Sequence, residues 1–178
     1  MFKTEVIAFF HQLKSIPFVQ GYLQKCYETL HIKDSDIVSY QNAEKFIYYL
    51  EHGESFINQA KQAPFSIKPI LLFYGLNQLL KACLLTKRPN YPENTKLLAH
   101  GVSTRKRKKQ SYSFLSDEVK IQQYGLFPYF SNHLFQIQSF PTDKVSMDHL
   151  LARIPELKEI QVFQKRSFQL VAVGSVNN

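Results

Sequence analysis

Five consecutive cations, Arg105, Lys106, Arg107, Lys108 and Lys109, are the sharpest chemical signal in the chain. Ser103 and Thr104 precede the run and Gln110 follows it, and side chains of these types hydrogen-bond phosphate oxygens. If every cation met a duplex phosphate, log K against log salt would slope at about −4.5. Tyr112 and Phe114 lie just downstream, with rings able to stack on bases. The net charge is +8 with histidine neutral, so the run supplies five units and the remainder carries +3. Basicity is therefore local, which points to phosphate or another acidic partner at one place. The competing reading is a solvated loop that keeps the chain soluble. Charge alone does not separate nucleic acid from protein or membrane partners.

A second constellation is polar and sits on an apolar helix. Tyr74, Asn77, Gln78 and Lys81 lie three or four residues apart and share one narrow stripe, with Arg88 about two turns on. With His100, which follows in sequence, they form a candidate polar site. The competing reading is a wet seam with a snorkelling lysine.

Other chemistries lack a signature. The six histidines, His11, His31, His52, His100, His133 and His149, include no pair at helical spacing, and there is no CxxC, so no metal site is expected. No GxSxG is present, and the six glycines do not cluster into a phosphate loop. Asp117, Glu118 and Lys120 place an acid–x–lysine pair on a predicted strand. Some metal-dependent nucleases set such a pair beside an upstream acid, where carboxylates hold the metal and the lysine steadies the attacking water. Here no upstream acid can be named. Helical ribonucleases of the HEPN class use arginine, a short spacer, then histidine, and no arginine here precedes a histidine at that spacing. An inactive helical relative acting as an interaction or scaffold domain is the alternative that remains. No catalytic residue and no cofactor is assigned.

The elements that position these residues read as mainly α. Pro69 suits a first helical turn, Ser66 is a candidate cap, and Ile70 to Leu85 is almost continuously apolar before Pro89. The pattern predicts a central helix over about 69–87, buried on most sides at the middle of a helical bundle. It is no membrane span, because spanning takes ~20 uninterrupted apolar residues and Gly75, Asn77, Gln78 and Lys81 interrupt this run. Upstream, Thr4 caps a short helix with Val6, Phe9, Phe10 and Leu13 on one face. After Pro17, Val19, Tyr22, Leu23, Cys26, Tyr27 and Leu30 recur at helical spacing. His31 to Asp36 reads as a loop, and a third helix is predicted from about Gln41 to Lys61. Gly53 lies inside it at a cost of ~1 kcal/mol relative to alanine, which a close helix crossing would explain, as would a break at His52–Gly53; the crossing is the preferred reading.

Downstream, Thr95 to Ala99 is one more turn, and Glu118 to Gln123 alternates as a half-buried strand does. Tyr124–Gly125 is a turn, Phe135 to Phe140 a candidate partner strand, and Ser146 the cap of a short helix ending at Pro155. This predicts a small β element after the basic loop, one mostly helical domain over 1–165, and an irregular tail over 166–178.

Composition agrees with a folded core: 178 residues, 44% apolar, 15 Phe, 10 Tyr and no Trp. Cys26 and Cys83 fall on predicted helices among apolar residues and read as reduced, buried thiols. The opening MFKTEVIAFFHQ breaks its apolar run at Glu5 and His11, so no signal peptide is expected, and a reducing cytoplasm is the natural compartment.

The segments FIYYLEHGESFINQA, SIKPILLFYGLNQLLKACLLT, YPENTKLLAHGVSTRKRKKQ, EVKIQQYGLFPYFS and LLARIPEL, in that order, resemble the YaaC-like proteins of Bacillus relatives. The resemblance covers roughly Tyr22 to Leu157. It implies no activity, cofactor or catalytic residue, only that His100, Gly101 and the basic run belong to the family's hallmark segment. Family chains usually continue well past this length, and the closing FQLVAVGSVNN differs from the usual continuation. A truncated or frameshifted product, with apolar surface exposed near Val162 to Val173, is the corresponding expectation.

Overall fold

The computed structural model describes residues 2–105 and 112–157. Among them the chain is mainly helical, with a three-stranded antiparallel sheet. It divides into two compact units: residues 1–101 with 123–139, and residues 102–122 with 140–178.

The first unit is all helical. It comprises α1 (Phe2–Gln12), α2 (Ile16–Thr29), α3 (Ser35–Gln62), α4 (Lys68–Leu85) and α5 (Leu126–Phe135). Pro17 sits in the first turn of α2 and Pro69 in that of α4, where a missing N–H breaks no helical bond. The cap of α4 is Ile67 rather than Ser66. α3 starts six residues before the predicted Gln41, because Asp34 turns the chain in the left-handed region and Asp36 suits the positive end of the helix dipole. The aromatic segment after Gly125 folds as α5, with Pro128 in its first turn. Asn94 caps the short turn Thr95–Leu98 by accepting from the Lys96 N–H at 3.1 Å.

The core is formed by Leu13, Val19, Leu23, Tyr27, Phe46, Leu50, Leu84, Leu85, Tyr91 and Leu126. Phe9 anchors α1 edge-to-face on Phe18 and Tyr22, with centroids 6.1 and 5.9 Å apart. Tyr27 is the polar bolt of this core. Its phenol donates to the Leu85 carbonyl at 2.9 Å and accepts from Asn42 Nδ2 at 3.1 Å. Asn42 also donates to the Pro89 carbonyl at 2.9 Å, so one buried network ties α2, α3 and the end of α4.

The crossing of α3 and α4 is glycine on glycine. A Cβ at Gly53 would lie 2.7 Å from Leu79 Cδ2 and 3.1 Å from the Gly75 carbonyl oxygen. One at Gly75 would meet Ile57 Cγ1 at 3.0 Å and the Gly53 carbonyl at 3.2 Å. The close crossing predicted from Gly53 is thus present, and Gly75 is its other half.

The central helix departs from the expectation of burial on most sides. In its second half Ala82, Leu84 and Leu85 are buried, but Ile70, Leu72, Phe73, Tyr74 and Leu76 are exposed, and so is Cys83, which was expected to be buried, while Cys26 is half-buried. The glycines set which flank goes inward, and that flank is not the most apolar one.

The second unit holds β1 (Val102–Arg105), β2 (Glu118–Ile121), β3 (Lys144–Ser146) and α6 (Met147–Leu151). The strand order is β1-β2-β3. β2 is the predicted strand. Its partners are β1 and β3, whereas 136–140, the predicted partner, has no regular structure because Gln136 ends α5 in the left-handed region. Ser146 caps α6, accepting from the His149 N–H at 3.2 Å. The expectations for residues 158–178 lie outside the described residues.

Candidate functional site

The register sorts the sheet into two faces, since strand side chains alternate and paired residues share a side. Ser103–Lys120–Lys144 is a cross-strand triplet and Glu118–Ser146 a pair on one face, and every member is polar. Val102, Thr104, Val119, Ile121 and Val145 fall on the other. Gln122 Nε2 donates to Ser103 Oγ at 2.6 Å and extends the polar face. Lys120 Nζ is 3.9 Å from Asp143 Oδ2, with both side chains about half in water, so this ion pair is weak. Of the basic run, Arg105 ends β1 opposite Glu118, while Lys106 to Lys109 lie outside the described residues.

A cavity of about 770 Å³ lies within this unit. Glu118, Phe140, Lys144, Ser146, His149 and Arg153 are among its lining residues. Arg153 Nη2 sits 3.0 Å from His149 Nε2, so the imidazole nitrogen accepts and the guanidinium is held in place. Asp117 is buried beside β2. Its Oδ2 accepts from the Tyr112 hydroxyl at 2.8 Å, while Oδ1 has no hydrogen-bond partner among the described residues.

The predicted polar stripe is exposed at Tyr74, buried at Asn77 and half-buried at Gln78 and Lys81. Asn77 is 8% exposed and donates back to the Phe73 carbonyl at 2.7 Å. Gln78 Oε1 is buried with no partner among the described residues. Lys81 Nζ lies 5.6 Å from the centroid of the Tyr49 ring, and burial holds its pKa below the ordinary lysine value. Tyr74 and His100 do meet at the N-terminal end, with ring centroids 5.8 Å apart, and Phe73 stacks on the same imidazole at 4.8 Å. The stripe is thus two places: an exposed aromatic pair and a buried to half-buried amide–lysine group.

A tighter polar cluster, not expected from the sequence reading, lies in the first unit. Arg88 Nε donates to the Tyr129 hydroxyl at 2.9 Å and to Glu93 Oε1 at 3.0 Å, and its Nη2 also bonds Glu93. The Tyr129 hydroxyl donates to Glu93 Oε1 at 2.8 Å. His133 lies against the Tyr129 ring at 4.2 Å. Burial opposes ionisation of Glu93, but hydrogen bonds from Tyr129 and Arg88 prevail and hold its carboxyl below the usual range. Burial, then Glu93, pushes Tyr129 up to about 12. Burial and Arg88 push His133 down, so its ring is neutral near pH 7. Chemically this is a structural clasp between the segment after α4 and α5. The available signal was the helical spacing of Tyr129 and His133.

Among the described residues no group of three or more His, Cys, Asp or Glu side chains is placed to hold a metal ion. No helix among them is long and apolar enough to cross a membrane.

These features define a mainly helical protein that carries a small two-faced sheet at the start of a cationic run. The chain matches the family model of the YaaC-like protein over residues 11–178 and belongs to that family. The match extends through FQLVAVGSVNN. No curated protein and no solved structure matches it.

Proposed function

We propose that this protein binds a polyanion, nucleic acid foremost, in the cytoplasm, through Arg105, Lys106, Arg107, Lys108 and Lys109. The observation that carries the reading is the run of five cations in the sequence, whose first member ends β1 opposite Glu118 in a sheet that also bears Lys120 and Lys144. Phosphates recognised there need no deep site, because contacts to a nucleic-acid backbone are made by cations and small polar side chains. The test is binding of labelled RNA and DNA across a salt series, with the five residues changed to Ser or Gln. The parent's log K should fall steeply with log salt and the variant's slope should flatten by about 0.9 per lost duplex contact. Equal binding by the two proteins removes the reading.

A metal-dependent nuclease is the second reading, favoured by one observation: Asp143, an acid downstream of the pair, approaches Lys120 at 3.9 Å. Cleavage that needs a divalent cation and disappears in Glu118→Gln supports it; cleavage indifferent to that change does not. A scaffold role through Tyr74, Asn77, Gln78, Lys81 and His100 gains less, because the lower half of that stripe is buried or half-buried. A partner lost on Lys81→Ala but indifferent to salt would favour it.

A further inference from the structure

The outward flank of α4 is apolar where a surface helix is ordinarily polar. At 100° per residue, Pro69, Leu72, Leu76 and Cys83 fall within about 60° of one another around the axis. Leu72 is 45% exposed, Leu76 54%, and Cys83 is exposed as well. Ile70 and Phe73 flank them, and Phe65 and Ile67 continue the patch before the helix begins; all four are exposed. From Phe65 to Leu85 there is no carboxylate, and the two cations are Lys68 and Lys81. Lys81 is turned toward Tyr49 and Lys68 Nζ lies 5.1 Å from the centroid of the Phe65 ring, so charge stands at the edge of the patch and the ridge from Pro69 to Cys83 is itself uncharged.

The area has a definite scale. Taking about 200 Å² for a fully exposed large side chain, Phe65, Ile67, Ile70, Leu72, Phe73 and Leu76 leave on the order of 600 Å² in water. That is the upper end of what a monomer leaves as one apolar patch, about 300–600 Å². It also matches the apolar share of a standard homodimer interface, roughly two-thirds of about 800 Å² per partner. Pro69, Leu76 and Cys83 are seven apart, with Leu72 between the first two, a heptad-like spacing for a helix–helix seam, while Leu79 is taken up by the crossing at Gly53.

We propose that this ridge is the contact between two copies of the chain, α4 lying antiparallel against α4 about a two-fold axis near Leu76. An isologous contact presents one patch to itself, and an uncharged ridge is complementary to its own copy. Antiparallel packing opposes the two helix dipoles and keeps the Lys68 of each copy apart. It sets Leu76 on Leu76, and Leu72 against Leu80 of the other copy. The inference is independent of polyanion binding.

The experiment uses the full 178-residue chain. Sedimentation of the parent over a concentration series is expected to give twice the chain mass, and Leu76→Glu half of that, with helical circular dichroism unchanged. A second variant, Leu76→Cys with Cys26 and Cys83 changed to serine, is expected to give a cross-linked dimer with a short bis-maleimide. With the native cysteines alone, the two Cys83 lie about 20 Å apart across the axis and should not link. A parent that sediments as a monomer throughout overturns the proposal. So does a Leu76→Glu protein that remains a dimer. If Leu76→Glu fails to fold, the cross-link decides, and a Leu76→Cys chain that stays unlinked, or whose thiol is shielded in a monomer by the chain's own residues, overturns it too.

Discussion

The two flanks of α4 obey different rules. The inner flank meets α3 so closely that one added carbon is too many, while the outer flank carries the larger apolar side chains. If area alone decided the orientation, Leu72 and Leu76 would be inside, since full burial of a leucine is worth about 1.5–3 kcal/mol. Instead Gly75, Asn77 and Ala82 face inward and are buried. Small residues let two backbones approach, and the many dispersion contacts that follow outweigh a few large side chains. Shape, not hydrophobicity, orients this helix.

The strongest way to break that contrast is Gly75→Val. The branched side chain has Ile57 Cγ1 at 3.0 Å and the Gly53 carbonyl at 3.2 Å from its Cβ, so the helices must part. A loss of about 3 kcal/mol or more is expected in urea unfolding, far above the few tenths gained in helix propensity. A loss under about 1 kcal/mol would mean that the crossing is not tight.

Next in size is Tyr27→Phe, which tests the polar bolt beneath the same helix. The change leaves the Leu85 carbonyl unpaired and removes one of two bonds from Asn42. The expected cost is about 1–2 kcal/mol, read from the shift of the unfolding midpoint. Burial also pushes the Tyr27 phenol up to about 12, so the variant should lack a phenol that titrates this late.

Lys81→Met is a smaller effect, recognisable by its pH dependence. Burial lowers the Lys81 pKa in the folded state. The unfolded chain therefore binds more protons between that lowered value and the ordinary 10.5, and stability contributed by this group rises with pH across the window. Below it the folded protein bears the full cost of a desolvated ammonium; above it the cost fades. Methionine removes the cost at every pH. The variant should gain over the parent near neutrality, and the gain should shrink as pH climbs toward 10.5. A gain that is flat with pH would sink this account.

Much of the helical unit was legible because its signals are local. The periodicity of Val19, Leu23 and Cys26 and the prolines at 17 and 69 each have one physical reading, Gly53 inside an apolar stripe has two, of which the crossing is the one present, and the family resemblance is written in consecutive segments. What was not legible depends on contacts between distant residues. Nothing near Gly75 says that it faces Gly53, so the periodicity could not tell which members of the stripe beside it are exposed, as Tyr74 is, and which buried, as Asn77 is. β1 was missed because Val102 to Arg105 is short and runs into the cations. The clasp of Arg88, Glu93, Tyr129 and His133 joins residues up to 45 positions apart, which no periodicity encodes.

The smallest expected effect sits on the outer flank and completes the contrast. Leu76→Ser removes a large apolar side chain from a position 54% exposed, with no buried neighbour to leave unsupported. Measured by urea at protein concentrations where copies do not associate, the change in stability should stay within about 0.5 kcal/mol, as for ordinary surface positions. Serine is only a slightly poorer helix former than leucine, so propensity adds at most about half a kcal/mol. At higher concentration the parent alone should become harder to unfold, because association draws the equilibrium toward the folded chain. A large loss at low concentration would place Leu76 inside the same core as Leu84 and Leu85. The two flanks would then not differ, and the rule that the glycines set the orientation would lose its support.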